Sequence, residues 1–444
     1  MLRRLLVLSL FLCVAAPSGA QSLKDKVTDL FIFGSGSNPL HLGGTADPNN
    51  PASVQAHGNH FIPAAVAQNG SIITFLTLAA GQSVANVPIG STSSGETFRF
   101  EGGVPVRTST SAGPILAERA QTLGRGRTIV GIGRTRVPFA TIRGQDLSNL
   151  EMFFTHENVD SDACDVAQGG ECAQMGLPLL ENEVIRVRLN LDMDVSVTTL
   201  YATYGLFDFM DVSVVMPLVS TSFTGISEAT IIPFGGTTAT HFFDGTPDAP
   251  VLSSSRIVSG SAFGVGDVAV RSKVLLRQTQ KAAVSVFGDA RFATGDETDL
   301  LGAGYFSARG ALAISAAFGP FAPHINAGYL YRNTEAASDA VIGIAGFDHL
   351  MWPNVTLAVD VLSSFQVGES KFRLPQTVNI EYPFVRHIDP TSIPEMRDNI
   401  VDGSFGFKFS HQTGVTAILN ALVPLNAGGL RGRTIFTAGL EFGF

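Results

Sequence analysis

Alternation of apolar and polar positions dominates this chain. Its clearest run is V-I-R-V-R-L-N-L-D-M-D-V-S-V-T. There Ile185, Val187, Leu189, Leu191, Met193, Val195 and Val197 share one face, and Arg186, Arg188, Asn190, Asp192, Asp194, Ser196 and Thr198 share the other. A period of two belongs to strands. The pattern recurs in D-V-A-V-R-S-K-V-L-L, where Val268, Val270, Val274 and Leu276 oppose Asp267, Arg271 and Lys273. In S-F-G-F-K-F-S, Phe405, Phe407 and Phe409 oppose Ser404, Gly406, Lys408 and Ser410. Asp289 and Arg291 oppose Val284, Val286, Ala290 and Phe292, and the final run sets Phe436, Ala438, Leu440, Phe442 and Phe444 against Thr437, Gly439, Glu441 and Gly443. The chain therefore ends inside a strand.

Several of these runs reach the 9 to 11 residues or more that a tilted, membrane-crossing strand needs. Soluble sandwiches tend to use shorter ones. If Phe444 closes a strand running toward the periplasm, strand alternation assigns a side to every connection. The inner set then lies near residues 205, 277, 318, 349 and 411, and all are short. The outer set covers 144–182, 225–263, 295–302, 334–338, 369–398 and 426–431, which includes every long loop. Short inner turns and long outer loops are the asymmetry of outer-membrane barrels. The expected fold is all-β, an antiparallel transmembrane barrel of about 14 strands with a range of 12 to 16. Its organisation reads as 1–20 signal peptide, 21–70 irregular segment able to plug the lumen, 71–126 hairpin and short helix, and 127–444 barrel. The helix expectation rests on S-A-G-P-I-L-A-E-R-A-Q-T-L-G.

Composition supports a lipid-facing surface. Only 15% of the 444 residues are charged against 45% hydrophobic, and the mean hydropathy is +0.25. A net charge of -9 without a Lys/Arg cluster argues against a nucleic-acid partner. Arg3 and Arg4, an apolar stretch from Leu5 to Ala16, then Ser18 and Ala20 predict a secretory signal cleaved after Ala20. Leu12, standing before Cys13 where a lipoprotein needs a small residue, argues against lipidation. The expected location is the bacterial outer membrane, with lipid as the main partner, as a monomer.

Cys164 and Cys172 sit close together in an exported chain, which predicts a loop disulfide. No metal or cofactor site is expected. Asp296, Glu297 and Asp299 in G-D-E-T-D lack the other donors of a calcium loop and read as a solvated turn. His41, His57 and His60 have no carboxylate or thiol at ligand spacing. Ser410 and His411 are adjacent, hence on opposite strand faces, and no G-x-S-x-G turn is present; catalysis is not expected. Arg186, Arg188, Asp192, Asp194, Asp267, Arg271, Lys273, Asp289, Arg291 and Glu441 are expected to face the lumen, where both signs can pair across strands. Either a salt-bridge network or a water-filled pore would follow. Phe287, on the same face as Asp289 and Arg291, is a candidate substrate patch or a contact for the plug.

Three segments carry a family resemblance: G-V-G-D-V-A-V-R-S-K (264–273), F-A-T-G-D-E-T-D-L-L-G-A-G (292–304) and F-A-P-H-I-N-A-G-Y (321–329). They resemble the outer-membrane family linked to phenol degradation by the meta pathway, which is related in architecture to long-chain fatty-acid transporters; E-R-A-Q-T-L-G-R-G (118–126) is similar as well. The resemblance implies a barrel of about fourteen strands, a plugged lumen and uptake of small hydrophobic or aromatic compounds. With one Trp and six Tyr against 32 Phe, an aromatic girdle would be built mainly from Phe. A surface-binding or structural barrel acting through its outer loops, or a general porin, are the alternatives.

Overall fold

The computed structural model describes residues 21–33, 98–101, 104–107, 111–154, 183–233, 242–246, 248–372, 374, 377–380, 385–411 and 413–444. The signal segment, His41, His57, His60 and the Cys164/Cys172 pair lie outside the described residues.

Thirteen strands carry the architecture: β1 Thr128–Ile142, β2 Val184–Phe207, β3 Met210–Ile232, β4 Ser253–Val265, β5 Ala269–Gln278, β6 Ala282–Arg291, β7 Ser307–Ala316, β8 Phe321–Arg332, β9 Ala340–Trp352, β10 Val355–Gln366, β11 Ile400–Ser410, β12 Val415–Pro424 and β13 Ile435–Gly443. All except β4 form one closed antiparallel ring. Each pairs with its sequence neighbour, β3 pairs with β5, and β13 pairs with β1 to close the circle. Closure satisfies every ladder group internally, which hydrocarbon demands. The wall thus has twelve strands, the low end of the expected range. Phe98–Glu101 and Val104–Arg107 pair as a separate two-stranded sheet.

The C-terminal strand ends as its alternation predicts. Phe436, Leu440, Phe442 and Phe444 are exposed on the outside while Glu441 is buried inside. The Phe444 N–H donates to the Thr128 carbonyl at 2.9 Å and its carbonyl accepts from the Thr128 N–H at 2.8 Å. The terminal residue thereby pairs with the strand that closes the ring. The inner turns are short, and the inner rim carries exposed Phe207, Phe209, Phe318, Phe321 and Trp352, an aromatic belt made mostly of Phe. The outer faces between the rims expose Val270, Leu276, Leu312, Ile325, Phe405 and Leu419, as lipid contact requires.

β2 and β3 differ from the other wall strands. They span 24 and 23 residues, about twice what the bilayer uses. The lower half of β3 pairs with β5 through residues 210–215, and its upper half pairs with β4 through 218–230. β2 likewise pairs with β1 below, and above with a short strand, Leu150–Phe154. Four strands therefore rise beyond the ring on the outer side. In this extension the interior face is apolar: Val187, Leu189, Val195, Phe223 and Ile231 join one core with Met152 and Phe154. Its outward face carries Ser220, Ser222, Thr224 and Glu228 from β3.

This inversion corrects the sequence reading of β2. Arg186, Arg188, Asp192 and Asp194 do not line the lumen; they are on the outward face, where Arg188 and Asp192 are exposed. Arg136 pairs with Asp194 at 2.7 Å and Arg188 with Glu151 at 3.0 Å there. A lipid-facing Arg or Lys costs about 2 to 4 kcal/mol at mid-depth. These four charges therefore place the upper half of β2 above the bilayer.

A helix, α1 (Leu23–Asp29), fills the extension from inside, within a stretch expected to be irregular. The Ser22 side chain caps it by accepting from the Asp25 N–H. Leu23, Val27 and Leu30 form one apolar stripe buried in the core. A Cβ at Gly225 would come within 2.6 Å of Leu30, and one at Gly260 within 2.7 Å of Lys26. The wall admits the helix because those two positions lack side chains.

Candidate functional site: a plugged lumen with a cavity above it

Residues 111–126 cross the inner half of the barrel. The short helix expected there is absent: the segment has no helical turn, yet Ser111–Ala120 are buried throughout. Buried backbone without a ladder needs side-chain partners, and the wall supplies them. Ala112 N–H donates to Thr356 Oγ1 at 3.0 Å, Glu118 N–H to Asn326 Oδ1 at 2.7 Å and Ala120 N–H to Ser315 Oγ at 3.0 Å. Leu123 N–H donates to both carboxylate oxygens of Asp211 at 3.1 Å, and Asn326 Nδ2 returns a bond to the Glu118 carbonyl at 2.8 Å.

Charges fasten the same segment. Glu118 is bonded to Arg271 and lies 3.7 Å from Lys273 Nζ, which is itself 3.5 Å from Asp211. Arg119 reaches Asp348 at 3.2 Å. His324 stands between two carboxylates, Nε2 2.6 Å from Asp360 and Nδ1 3.4 Å from Asp348. The Ser111 hydroxyl donates to Asp348 rather than to the imidazole. Through Ser111 and Arg119 the cluster ties the segment to the wall, an arrangement that suits anchoring. Below, Glu441 accepts from the Tyr201 hydroxyl and lies 4.0 Å from Lys408.

Arg271, Lys273 and Glu441 are buried inside the ring, and Asp289 and Arg291 line its cavity. Arg271, Lys273 and Glu441 belong to the plug network. Asp289 accepts from Arg271 at 3.3 Å and from Arg309 at 2.8 Å. Glu118, Arg119, Asp211, Arg309, His324, Asp348 and Asp360 escaped the sequence analysis. Alternation marks a wall residue as inward, but nothing local marks an irregular segment as the plug that it meets.

Asp267 acts elsewhere. Its carboxylate accepts from the Gly295 N–H at 3.1 Å and the Ala303 N–H at 2.8 Å, and Thr294 Oγ1 donates to the Gly266 carbonyl at 2.6 Å. These bonds join residues 266–268, the kink between β4 and β5, to the loop 292–306 between β6 and β7. Within that loop Asp296 accepts from the Thr298 N–H and hydroxyl, which hold its pKa below the usual carboxylate value. Asp299 accepts from the Leu23 N–H at 3.1 Å, and the Thr298 carbonyl from the Lys24 N–H at 2.9 Å. The loop is thus a folded knot with Leu300 and Leu301 buried, while Asp296, Glu297 and Thr298 remain exposed on its turn. Its carboxylates bond backbone groups individually, and no group of three metal-ligating side chains converges among the described residues.

Above the plug lies a cavity of about 220 Å³. Leu116 and Glu118 belong to its lining from the plug, and outer halves of wall strands supply the rest. One part of the lining is apolar, with Phe139, Ile342, Ile344, Leu362, Leu422 and Ile435. Phe287 lines the cavity and also packs against Ala120 of the plug. The Arg271 and Arg309 guanidiniums lie 5.6 and 5.5 Å from its ring centre, within cation–π range.

A family model described as "Putative MetA-pathway of phenol degradation" matches residues 191–417, which include both halves of the knot. The chain belongs to that family. No curated protein matches it. Among solved structures, an outer-membrane channel from Pseudomonas putida F1 aligns over 73% of this chain and 98% of that one, at 10% identity and a TM-score of 0.39. A FadL homologue from Pseudomonas aeruginosa aligns over 71% and 89%, at 10% identity and a TM-score of 0.30. The TodX deltaS2S3 mutant monoaromatic hydrocarbon channel aligns over 73% and 92%, at 9% identity and 0.31. At these scores the alignments carry no argument about this chain's ligand.

Proposed function

We propose that the protein is a monomeric outer-membrane channel for passive uptake of small hydrophobic compounds, aromatic or fatty-acid-like. The observation that carries this reading is the cavity above the plug. Part of its lining, Phe139, Ile342, Ile344, Leu362 and Leu422, is apolar, beside a charged part of arginines and carboxylates. Apolar walls with a few placed polar groups are the pattern of small-molecule sites. Membership of a family named for phenol degradation agrees with an aromatic solute.

The finer features belong to the same proposal. The protein is exported by a signal cleaved after Ala20, Cys164 and Cys172 form a disulfide in the outer loop between β1 and β2, and the protein catalyses no reaction. The second reading is a surface-binding barrel. It is favoured by one observation, the four-stranded extension with its own core, which the crossing of a bilayer does not require.

Uptake of labelled toluene and labelled glucose by cells with and without the protein separates the readings. Faster toluene entry with unchanged glucose supports the channel. Faster glucose entry with unchanged toluene supports a porin, and no change in either leaves the extension as the active part.

A further inference from the structure

Charge is distributed unevenly over the outward face of the ring. Among the described residues of β5–β12 that face holds no Asp, Glu or Lys, and its one Arg, Arg277, stands at the inner end of β5. β1 differs. Val130 and Ile132 face lipid, but the next two outward residues are Arg134 and Arg136, both exposed. Their direction is fixed from the other side of the strand, where the hydroxyl of Thr135, between them, meets that of Thr437 at 2.9 Å inside the ring. Arg136 is paired with Asp194 at 2.7 Å. Arg134 makes no hydrogen bond and no ion pair among the described residues. Across the strands the residues form three rows, Leu440–Ile132–Leu200, then Ala438–Arg134–Thr198, then Phe436–Arg136–Ser196.

The lowest row is wholly apolar and suits acyl chains, whereas Arg188 and Asp192, higher on the same face of β2, are exposed to water. Arg134 and Arg136 therefore stand where hydrocarbon gives way to headgroups. A guanidinium facing hydrocarbon is unfavourable, and the headgroup that best matches its fork of donors is a phosphate. Two residues apart on one strand, the two side chains start about 7 Å from each other, so both reach a single phosphate. Thr198 and Ser196 stand directly beside them with hydroxyls. Asp194 neutralises one of the two cations but sits one position higher, opposite Pro138, which leaves the site a net positive charge. We infer that Arg134 and Arg136 bind the phosphate of a phosphorylated glycolipid of the outer leaflet, whose acyl chains run along Ile132, Leu200 and Leu440. The site lies outside the lumen, and this inference does not depend on the uptake reading.

The test uses the purified full chain in dodecyl maltoside and two probes with the same acyl chains, diphosphoryl lipid A and lipid A stripped of its phosphates, with dissociation constants from native mass spectrometry. Wild type is expected to bind the diphosphoryl lipid about tenfold more tightly, the scale of one charge-assisted hydrogen-bonded contact. Arg134→Gln should remove most of that difference by weakening the diphosphoryl lipid alone, and Arg134→Lys should keep part of it. Arg188→Gln removes a cation from the same face, but one higher up and paired with Glu151, and should leave the ratio as in wild type. Excess inorganic phosphate should not displace the lipid, because it lacks the chains that Ile132 and its neighbours hold. Equal affinities in wild type, a ratio unchanged in Arg134→Gln, an equal loss in Arg188→Gln, or displacement by inorganic phosphate would each overturn the inference. Replacing Arg134 breaks no pair, so the variant should keep the heat-modifiable gel mobility of a folded barrel, which is measured alongside; the comparison of the two lipids on wild type needs no variant.

Discussion

Removing the Glu118 side chain tests whether the lumen is held shut by side-chain chemistry alone. Glu118 is buried, with 3% side-chain exposure, and faces two buried cations, Arg271 and Lys273. Breaking one partner from a buried pair costs about 3 to 5 kcal/mol because the other charge stays behind. Here both cations keep a second carboxylate, Asp289 for Arg271 and Asp211 for Lys273, so Glu118→Ala belongs near the lower end, at about 3 kcal/mol. The loss falls on the plug and not on the ring, whose ladders do not involve residue 118. The population with the plug displaced should therefore rise about a hundredfold, at about 1.4 kcal/mol per tenfold. Single-channel recording in planar bilayers reads this as more frequent openings, and limited trypsin digestion reads it as faster cleavage after Arg119 and Arg125. Heat-modifiable mobility should be unchanged. If conductance and cleavage both match wild type, the ion pairs do not retain the plug and its backbone bonds to Asn326 and Ser315 suffice.

Other outcomes can be checked separately. In a Cys164→Ser/Cys172→Ser background, Asp192→Cys should react with a bulky, membrane-impermeant maleimide on intact cells and Phe209→Cys should not; equal labelling would refute the placement of the upper half of β2 outside the bilayer. Gly302→Val, whose Cβ would run into the Asp267 carboxylate, should undo the knot and expose α1, seen as faster proteolysis near Lys24 and Lys26 while the barrel stays folded. A double-mutant cycle on Arg136 and Asp194 should give a coupling of only about 0 to 1 kcal/mol that fades with salt, since Arg136 is 70% exposed; a coupling well above that would mean the pair is shielded from water. Mass spectrometry of the non-reduced protein should find Cys164 and Cys172 joined, and the Cys→Ser double variant should still fold, because the ring is hydrogen-bonded without them.

The amino-acid sequence by itself determined the strands, their antiparallel order, the short inner turns and the two faces of each strand. These depend on local quantities: a side-chain period of two, turn residues and length against bilayer thickness. Phe405 and Phe409 outward with Lys408 inward, or Leu440 outward with Glu441 inward, follow from that periodicity once lipid lies outside. Periodicity does not say which medium touches which face. Residues 185–197 alternate as cleanly as any strand, yet the apolar side of β2 faces inward there, because α1 and the neighbouring strands supply an apolar core and water replaces lipid outside. Helix α1 itself was legible, in the Ser22 cap and the Leu23, Val27, Leu30 spacing, but it is short enough to pass for irregular chain. The lumen was decided by tertiary structure alone. Residues 111–126 form no regular element, and their bonds go to Asp211, Asn326, Ser315 and Asp348, partners about 90 to 240 residues away in sequence. Arg291 carries the same lesson. Its inward direction is a matter of parity, but that Asp289 is bonded by Arg271 and Arg309 instead depends on how three neighbouring strands bring their charges together.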